Sequence, residues 1–194
     1  MEVKLLACTN DSEQHMHVND VIITGLRTNH KTFSRATSSV ETEKEENTPI
    51  NEQKRLKDEI VKFFHNNNIT INPQSIAKCH TIGKSAYNRP AKILLQFTTN
   101  DYKTELIAQT KLLGTGNPVY VNEFLTRENA RLFYEARKLK RGKQIEGAWT
   151  RNGKIFVRST KDGKEFTKEV KTDSDLHSAI STTRSNGQVK FNSY

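Results

Sequence analysis

Two dipeptides in the last third of the chain, Asn152-Gly153 and Asp162-Gly163, constrain its fold more than any other feature. Each lies between two runs of strand-forming residues, and a two-residue Asn-Gly or Asp-Gly loop in that position is the strongest short-range signal for a β-hairpin. The three runs cover 145–150, 154–160 and 164–170. Together they predict a three-stranded antiparallel meander.

The first hairpin determines which side chains share a face. A two-residue loop pairs Arg151 with Lys154 and Trp149 with Phe156, and alternation along the strands then separates two faces. The expected core face carries Ala148, Ile155, Val157, Phe166 and Val170. The opposite face carries Trp149, Arg151, Lys154, Phe156 and Arg158. Aromatic rings among cations suit base stacking beside phosphate contacts. In the alternative interpretation the two rings pack on a neighbouring helix, and only the cations reach solvent.

A basic amphipathic helix is predicted immediately before the meander. Thr126 is the expected N-cap, and the helix runs to about residue 140. One side of it carries Ala130, Phe133, Ala136 and Leu139 or Lys140. Two glutamates oppose its cations, which are Arg127, Arg131, Arg137, Lys138, Lys140, Arg141 and Lys143. Arg127, Arg131 and Lys138 share one face because they are spaced i, i+4 and i+11. The excess of positive over negative side chains on this helix is larger than solvation requires, so it predicts contact with a polyanion.

The first 125 residues alternate strand and helix signals in the order β-α-β-β-α-β. Strands are predicted at 18–26, 76–82, 92–97 and about 119–121. One helix is predicted from Thr48-Pro49, with an apolar stripe of Leu56, Ile60, Phe63 and Phe64. A second helix starts near Asn100-Asp101 and carries Tyr102, Leu106 and Leu113. This order is the ferredoxin-like pattern that the RNA-recognition motif also uses.

The expected fold class is therefore α+β, with two domains. A ferredoxin-type, RNA-recognition-motif-like domain over 18–125 precedes a basic domain of one helix and a three-stranded antiparallel sheet over 126–182. A flexible leader at 1–17, a mobile acidic loop at 27–49 and a polar tail at 183–194 complete the organisation. The sequence Thr172-Asp173-Ser174-Asp175 predicts a capping box before a short last helix at about 174–181.

The positive charge is concentrated in the second domain. The chain has a formal net charge of +9. Residues 1–125 hold 15 basic and 14 acidic side chains, whereas residues 126–194 hold 16 basic and 8 acidic ones. A basic third beside a near-neutral remainder indicates a polyanionic partner, and nucleic acid is the commonest. The chain has only two cysteines, which predicts an intracellular setting. It has no apolar run near the roughly 20 residues that a membrane helix needs, so no membrane span is expected.

The first domain lacks the aromatic residues on which RNA-recognition motifs stack bases. In those motifs the aromatic side chains lie on the first and third strands. The corresponding positions here hold Ile22 on the first strand and Lys92 and Leu94 on the third. Binding by this sheet is therefore expected to use backbone charge, with Arg89 and Lys92 as the nearby cations.

Five strings in the chain occur in an order and spacing that resemble one known family. They are VIITGL at 21–26, RPAKILLQF at 89–97, VYVNEFLT at 119–126, FYEARK at 133–138 and WTRNGKIFVR at 149–158. The sequence is similar to the first-open-reading-frame proteins of LINE-type retrotransposons, and to the related C-terminal domain of the baculovirus few-polyhedra protein. The similarity extends over about 18–176.

This resemblance implies two domains that jointly clamp single-stranded RNA and give chaperone activity. By analogy, Arg127, Arg131 and Arg137 of the helix and Arg151 and Arg158 of the hairpin hold phosphates. The retrotransposon proteins usually carry a long coiled coil before the first domain. The 17 residues before Val18 contain no heptads, so no coiled coil is expected in this chain.

No enzyme or cofactor site is predicted. The six histidines have no metal-ligand spacing, and Gly114-Thr115-Gly116 lacks the rest of a phosphate loop. The first functional hypothesis is a sequence-tolerant binder of single-stranded RNA, with single-stranded DNA as a second ligand, that uses a basic cleft between the domains. Such a protein acts in a cytoplasmic ribonucleoprotein or in the nucleus, and 137–141 also fits a nuclear-import signal. The alternative is a viral or element-derived assembly adaptor whose basic face meets an acidic protein or a membrane.

Overall fold

A computed structural model describes residues 2–28, 49–83, 89–114, 116–161 and 163–180. The chain divides into two units, one of residues 8–125 and one of residues from 126 onward together with 1–7. Both mix helices with an antiparallel sheet. Most of the predicted acidic loop at 27–49, the predicted tail at 183–194, Thr48 and Asp162 lie outside the described residues.

The N-terminal unit contains a four-stranded sheet. Its strands are β1 (Asp20–Thr24), β2 (Ile76–Ile82), β3 (Lys92–Phe97) and β4 (Tyr120–Glu123). They lie in the order β2-β3-β1-β4, and every neighbouring pair is antiparallel. Helix α1 (Glu2–Met16) precedes β1, α2 (Pro49–Asn66) lies between β1 and β2, and α3 (Asn100–Gln109) lies between β3 and β4. The two middle strand predictions and the start of α2 at Pro49 are confirmed.

The core of this unit lies on one face of the sheet. Alternate residues of β3 are buried, which are Ile93, Leu95 and Phe97. The predicted stripe of α2 supplies Leu56, Ile60 and Phe64, with Phe63 partly buried against them. Burial of a helix stripe against alternate strand residues is what the periods of 3.6 and 2 in the sequence predict.

The segment 1–17, which the sequence predicts as a flexible leader, contains helix α1 from Glu2 to Met16. Its C-terminal end is fixed by long-range contacts. The Gln14 side chain is buried and donates a hydrogen bond to the Phe124 carbonyl at 2.9 Å, and the His17 ring stacks on the Phe124 ring. Contacts between residues more than 100 positions apart leave no local pattern in the sequence, so periodicity and composition do not predict them.

The apolar residues predicted for the second helix are confirmed in part. Leu106 is buried and Leu113 packs partly buried against the core, whereas Tyr102 is exposed. Lys103 of α3 is buried instead, and its ammonium lies against the Glu123 carboxylate of β4. A lysine normally indicates a surface position, and its partner lies 20 residues away, so apolar spacing did not predict this burial.

The C-terminal unit packs two helices on one face of a three-stranded sheet. It consists of α4 (Arg127–Arg141), β5 (Gly147–Arg151), β6 (Lys154–Lys161), β7 (Lys164–Val170) and α5 (Asp173–Ser178). The predicted register is confirmed, since Arg151 pairs with Lys154 and Trp149 with Phe156. The capping box is also confirmed, with reciprocal hydrogen bonds between Thr172 and Asp175. Helix α5 ends at Ser178, earlier than expected.

The buried side of α4 agrees with the predicted one at Ala136 and, in part, at Phe133 and Leu139, and differs from it at the start of the helix. Asn129, Leu132 and Ala136 are buried, whereas Ala130 is exposed. Leu132 and Ala136 share a core with Ile155 and Val157 of the sheet. The prediction failed at the start of the helix because the core-facing position there holds a polar residue, Asn129, whose amide has a specific partner described below.

Candidate nucleic-acid interface

The outer face of the β5–β6 hairpin carries an exposed aromatic pair. Trp149 retains 36% of its surface, and its ring stacks on Phe156 with centroids 6.0 Å apart and planes 18° from parallel. The apolar cluster of the unit includes neither ring, and that cluster lies on the other face of the sheet. The interpretation in which Trp149 packs on α4 therefore does not hold. One ring supports the other, and the indole keeps a surface for a ligand.

Three cations flank this pair in the strand register. Arg151 and Lys154 are cross-strand partners beside the turn, and Arg158 pairs with Gly147 at the other end. Lys154 Nζ is 3.7 Å from Glu169, and Arg158 Nε is 3.8 Å from Glu146, so both ion pairs are long and exposed. Exposed pairs of this kind contribute little and can exchange for a phosphate. We call Trp149, Arg151, Lys154, Phe156 and Arg158 the hairpin face.

The acidic residues of the sheet limit the width of the hairpin face. Glu169 and Glu165 of β7 are the cross-strand partners of Phe156 and Thr160. The third strand therefore carries negative charge beside the aromatic pair. The cations of the hairpin face therefore come from β5 and β6, and the neighbouring positions of β7 are acidic.

The tip of the hairpin is fixed to helix α4. Asn152 and Gly153 have φ angles of 53° and 75°, the left-handed conformations that a two-residue hairpin turn requires. The Asn129 amide donates a hydrogen bond to the Gly153 carbonyl at 3.0 Å. Thr126 caps the same helix by accepting a hydrogen bond from the Asn129 backbone N–H. The Asn129 side chain therefore joins the first turn of α4 directly to the hairpin tip.

Helix α4 carries a second cationic surface on its solvent side. Five exposed residues follow one stripe at spacings of four, three, four and three, and they are Arg127, Arg131, Tyr134, Lys138 and Arg141. Tyr134, the middle residue of this stripe, is 58% exposed, and Lys138 Nζ lies 5.7 Å from the centroid of its ring. Sequence reasoning missed Tyr134, although its distance of seven residues from Arg127 puts it on that face. We call these five residues the helix stripe.

Two cations of the helix stripe are already paired. Arg131 contacts Glu128 at 2.6 Å and holds both oxygens of Asp173. Its guanidinium lowers the pKa of both carboxyls, mainly through these hydrogen bonds. Lys138 contacts Glu135 at 3.0 Å.

The remaining predicted cations of α4 are exposed. Arg137 lies over the Phe133 ring, 5.8 Å from its centroid. Arg127, Lys140 and Arg141 have no recorded ion pair within the described ranges. They are therefore more open to a ligand than Arg131 and Lys138.

The hairpin face and the helix stripe point in opposite directions. Leu132 and Ala136 attach α4 to the core face of the sheet, so the helix stripe faces away from that sheet. The hairpin face is the other side of the same sheet. The predicted cations of helix and hairpin thus form two surfaces of the C-terminal unit rather than one.

The remaining two predicted cations belong to the N-terminal unit. Arg89 and Lys92 are both exposed, and Lys92 pairs with Ile82 across β2 and β3. On the opposite edge of the sheet, Tyr120 of β4 is 62% exposed and pairs with Thr24. The sequence patterns did not identify this exposed aromatic residue on an edge strand.

Among the described residues, no group of three or more metal-ligating side chains occurs, and no helix is long and apolar enough to cross a membrane. No protein-family model matches the chain, and a search of curated proteins returns no match.

Proposed function

We propose that this protein binds single-stranded nucleic acid, preferentially RNA, with little dependence on sequence, and that the hairpin face is its principal contact. The observation that carries the proposal is the exposed Trp149 ring, supported by Phe156 and flanked by three cations. Aromatic faces stack on every base, while nearby cations neutralise the backbone, so this combination favours sequence-tolerant binding.

The architecture of the N-terminal unit supports the same proposal. Its strand order β2-β3-β1-β4, with α2 following β1 and α3 following β3, supports the inference of an RNA-recognition-motif-like, ferredoxin-type domain. We infer from it, and from the five strings quoted above, kinship with the LINE-type retrotransposon RNA-binding proteins. The inferred setting is a ribonucleoprotein in the cytoplasm or the nucleus.

Trp149 is the chain's single tryptophan, so its fluorescence reports on the proposed site. Adding an unstructured RNA of about 30 nucleotides should quench this emission, because bases stack on the indole. Inorganic polyphosphate of similar charge serves as the control, since it neutralises cations without offering a base. We expect quenching by RNA, weaker quenching by polyphosphate, and loss of RNA affinity as salt rises.

The opposite result would favour the adaptor hypothesis. Emission that does not change at low salt, with no RNA binding by anisotropy, would exclude the hairpin face as a nucleic-acid site. Capture of a protein partner that survives nuclease treatment would then support an assembly role. Equal quenching by RNA and by polyphosphate would show that charge alone, without stacking, drives binding.

A further inference from the structure

A groove lies between helix α2 and the edge strand β2 of the N-terminal unit. Its cavity volume is about 260 Å³. Lys57 Nζ donates a hydrogen bond to the Ile76 carbonyl at 3.1 Å, and the Cys79 thiol donates one to the Gln53 carbonyl at 3.5 Å. These two bonds hold helix and strand at a set spacing. The groove is therefore preformed.

The charged side chains that line this groove are all lysines, and the carboxylate of Asp58 acts on Cys79 from outside the lining. Its lining includes Lys54, Lys57 and Lys78 and contains no acidic residue. Lys54 and Lys57 are one helical turn apart on α2, and Lys78 projects from β2. Burial raises the pKa of the Cys79 thiol to about 11, so this residue stays neutral and adds no negative charge. Like charges that line one concavity raise the local potential and attract an anion.

The kind of anion follows from what lines the groove. No aromatic residue is among the lining residues, so nothing there recognises a base. The Lys57 ammonium uses one of its three donors on the Ile76 carbonyl, which leaves two for a ligand. Lysines bind phosphate as point charges. The volume is slightly below the roughly 300–1,000 Å³ of sites for drug-sized ligands, which suits a diphosphate or a phosphate with its sugar.

We propose that this groove, which we call the lysine groove, binds a phosphate group. The phosphate can belong to a free diphosphate or to the phosphodiester backbone of a nucleic acid, since both present the same oxyanions. The proposal does not depend on the hairpin face, because every residue that carries it belongs to α2 or β2.

The test is a titration of the full, ¹⁵N-labelled chain with inorganic pyrophosphate at constant ionic strength. We expect saturable amide shifts at Gln53 and at 77–79. The variant Lys54→Gln/Lys78→Gln should lose at least about ten-fold in affinity, as removal of two charge-assisted contacts implies. It retains Lys57, whose bond to the Ile76 carbonyl is also structural.

A matched control separates a site from general attraction. Lys62→Gln/Lys111→Gln removes the same charge from exposed positions that do not line the groove. Unchanged affinity in this control supports the lysine groove. Equal loss in both variants, or shifts that spread over the surface without saturating, would overturn it.

Titration of the same labelled chain with RNA identifies the source of the phosphate. Shifts at 77–79 that the Lys54→Gln/Lys78→Gln variant abolishes assign the groove to phosphodiester. Shifts there with pyrophosphate alone assign it to a free phosphate compound. Trp149 fluorescence is recorded in parallel, so a failure of the hairpin face and a failure of the lysine groove are seen separately.

Discussion

The ammonium of Lys103 on α3 lies 2.9 Å from the carboxylate of Glu123 at the end of β4, and the two side chains are only 1% and 9% exposed. Removing one partner of such a pair leaves the other charge buried and uncompensated. We expect Lys103→Met to lower the free energy of unfolding by about 3 kcal/mol. Urea denaturation followed by circular dichroism measures the change. The double variant Lys103→Met/Glu123→Leu should recover most of it, and a double variant as unstable as the single one would contradict this account.

Two glycines allow backbone strain to be separated from steric overlap. Gly25 and Gly83 both have positive φ angles, of 87° and 77°. A Cβ at Gly25 would overlap the Pro118 carbonyl, whereas a Cβ at Gly83 meets no atom of the described residues within 4 Å. Gly83→Ala should cost about 1 kcal/mol from strain alone, and Gly25→Ala about 3 kcal/mol because the backbone must move. If urea denaturation gave the same loss in free energy of unfolding for both variants, the overlap with the Pro118 carbonyl would not contribute to the effect of Gly25→Ala.

Trp149→Ala should weaken RNA binding without unfolding the protein. The stacking of one base on an aromatic ring contributes about 1–3 kcal/mol, so affinity should fall roughly 5- to 150-fold. Fluorescence anisotropy of a labelled RNA measures this. Tyr134→Ala is the matched control, because it removes an exposed aromatic residue from the helix stripe on the other side of the unit. A larger loss for Tyr134→Ala would move the principal site to that stripe.

Arg151 and Arg131 should differ in how their loss affects salt dependence. Arg151 has no recorded ion pair within the described ranges, whereas Arg131 is held by Glu128 and Asp173. Arg151→Gln should reduce the slope of log affinity against log salt by about 0.7, the contribution of one phosphate on a single strand. Arg131→Gln should leave that slope unchanged. The reverse order would mean that RNA displaces the two carboxylates from Arg131.

Asp175 should make stability depend on pH below neutrality. Lys168, 2.7 Å away, together with the Thr172 hydroxyl lowers the pKa of this carboxyl from 3.8 to about 2. Because the pKa of Asp175 is lower in the folded state than in the unfolded chain, the ionised carboxylate stabilises the fold at pH values above the unfolded-state pKa. This stabilisation is lost as the pH falls toward the folded-state pKa. Asp175→Asn should therefore cost about 1 kcal/mol at neutral pH, after allowance for solvent exposure.

The difference between wild type and Asp175→Asn should narrow below about pH 4 and close near pH 2. Urea midpoints across this range measure it. Glu165→Gln, which changes an exposed carboxylate of β7 with no recorded ion pair in the part of the chain that the structure describes, is the control and should show no such trend. A deficit that stays constant down to pH 2 would mean that the capping geometry, not the charge, stabilises α5.

The parts of the fold that the sequence predicts well are those with local causes. The register of β5 and β6 follows from the turn chemistry of Asn152 and Gly153, which involves only adjacent residues. The capping box at Thr172 and Asp175 is local in the same way. Periodicity likewise identified the buried stripe of α2 and the alternation of β3.

The parts that the sequence did not predict depend on distant partners. Helix α1 is anchored by Phe124, the burial of Lys103 depends on Glu123, and the burial of Asn129 depends on Gly153. In each case a polar side chain takes a buried position because of a partner between 20 and 110 residues away. Composition and spacing carry no information about such pairs. The division of the predicted cations between two surfaces also became visible only once the packing of α4 on the sheet was known.

On the proposed function, the hydrogen bond from the Asn129 amide to the Gly153 carbonyl bears on which single strands should bind best. A hairpin that is already held in its final shape does not adapt to its ligand, so the conformational cost of association falls on the nucleic acid. A strand that must first break its own base stacking is penalised, and one whose bases are already separate is not. We therefore expect the small sequence dependence of the proposed binding to follow the stiffness of the RNA, with uridine-rich strands bound slightly more tightly than adenosine-rich ones.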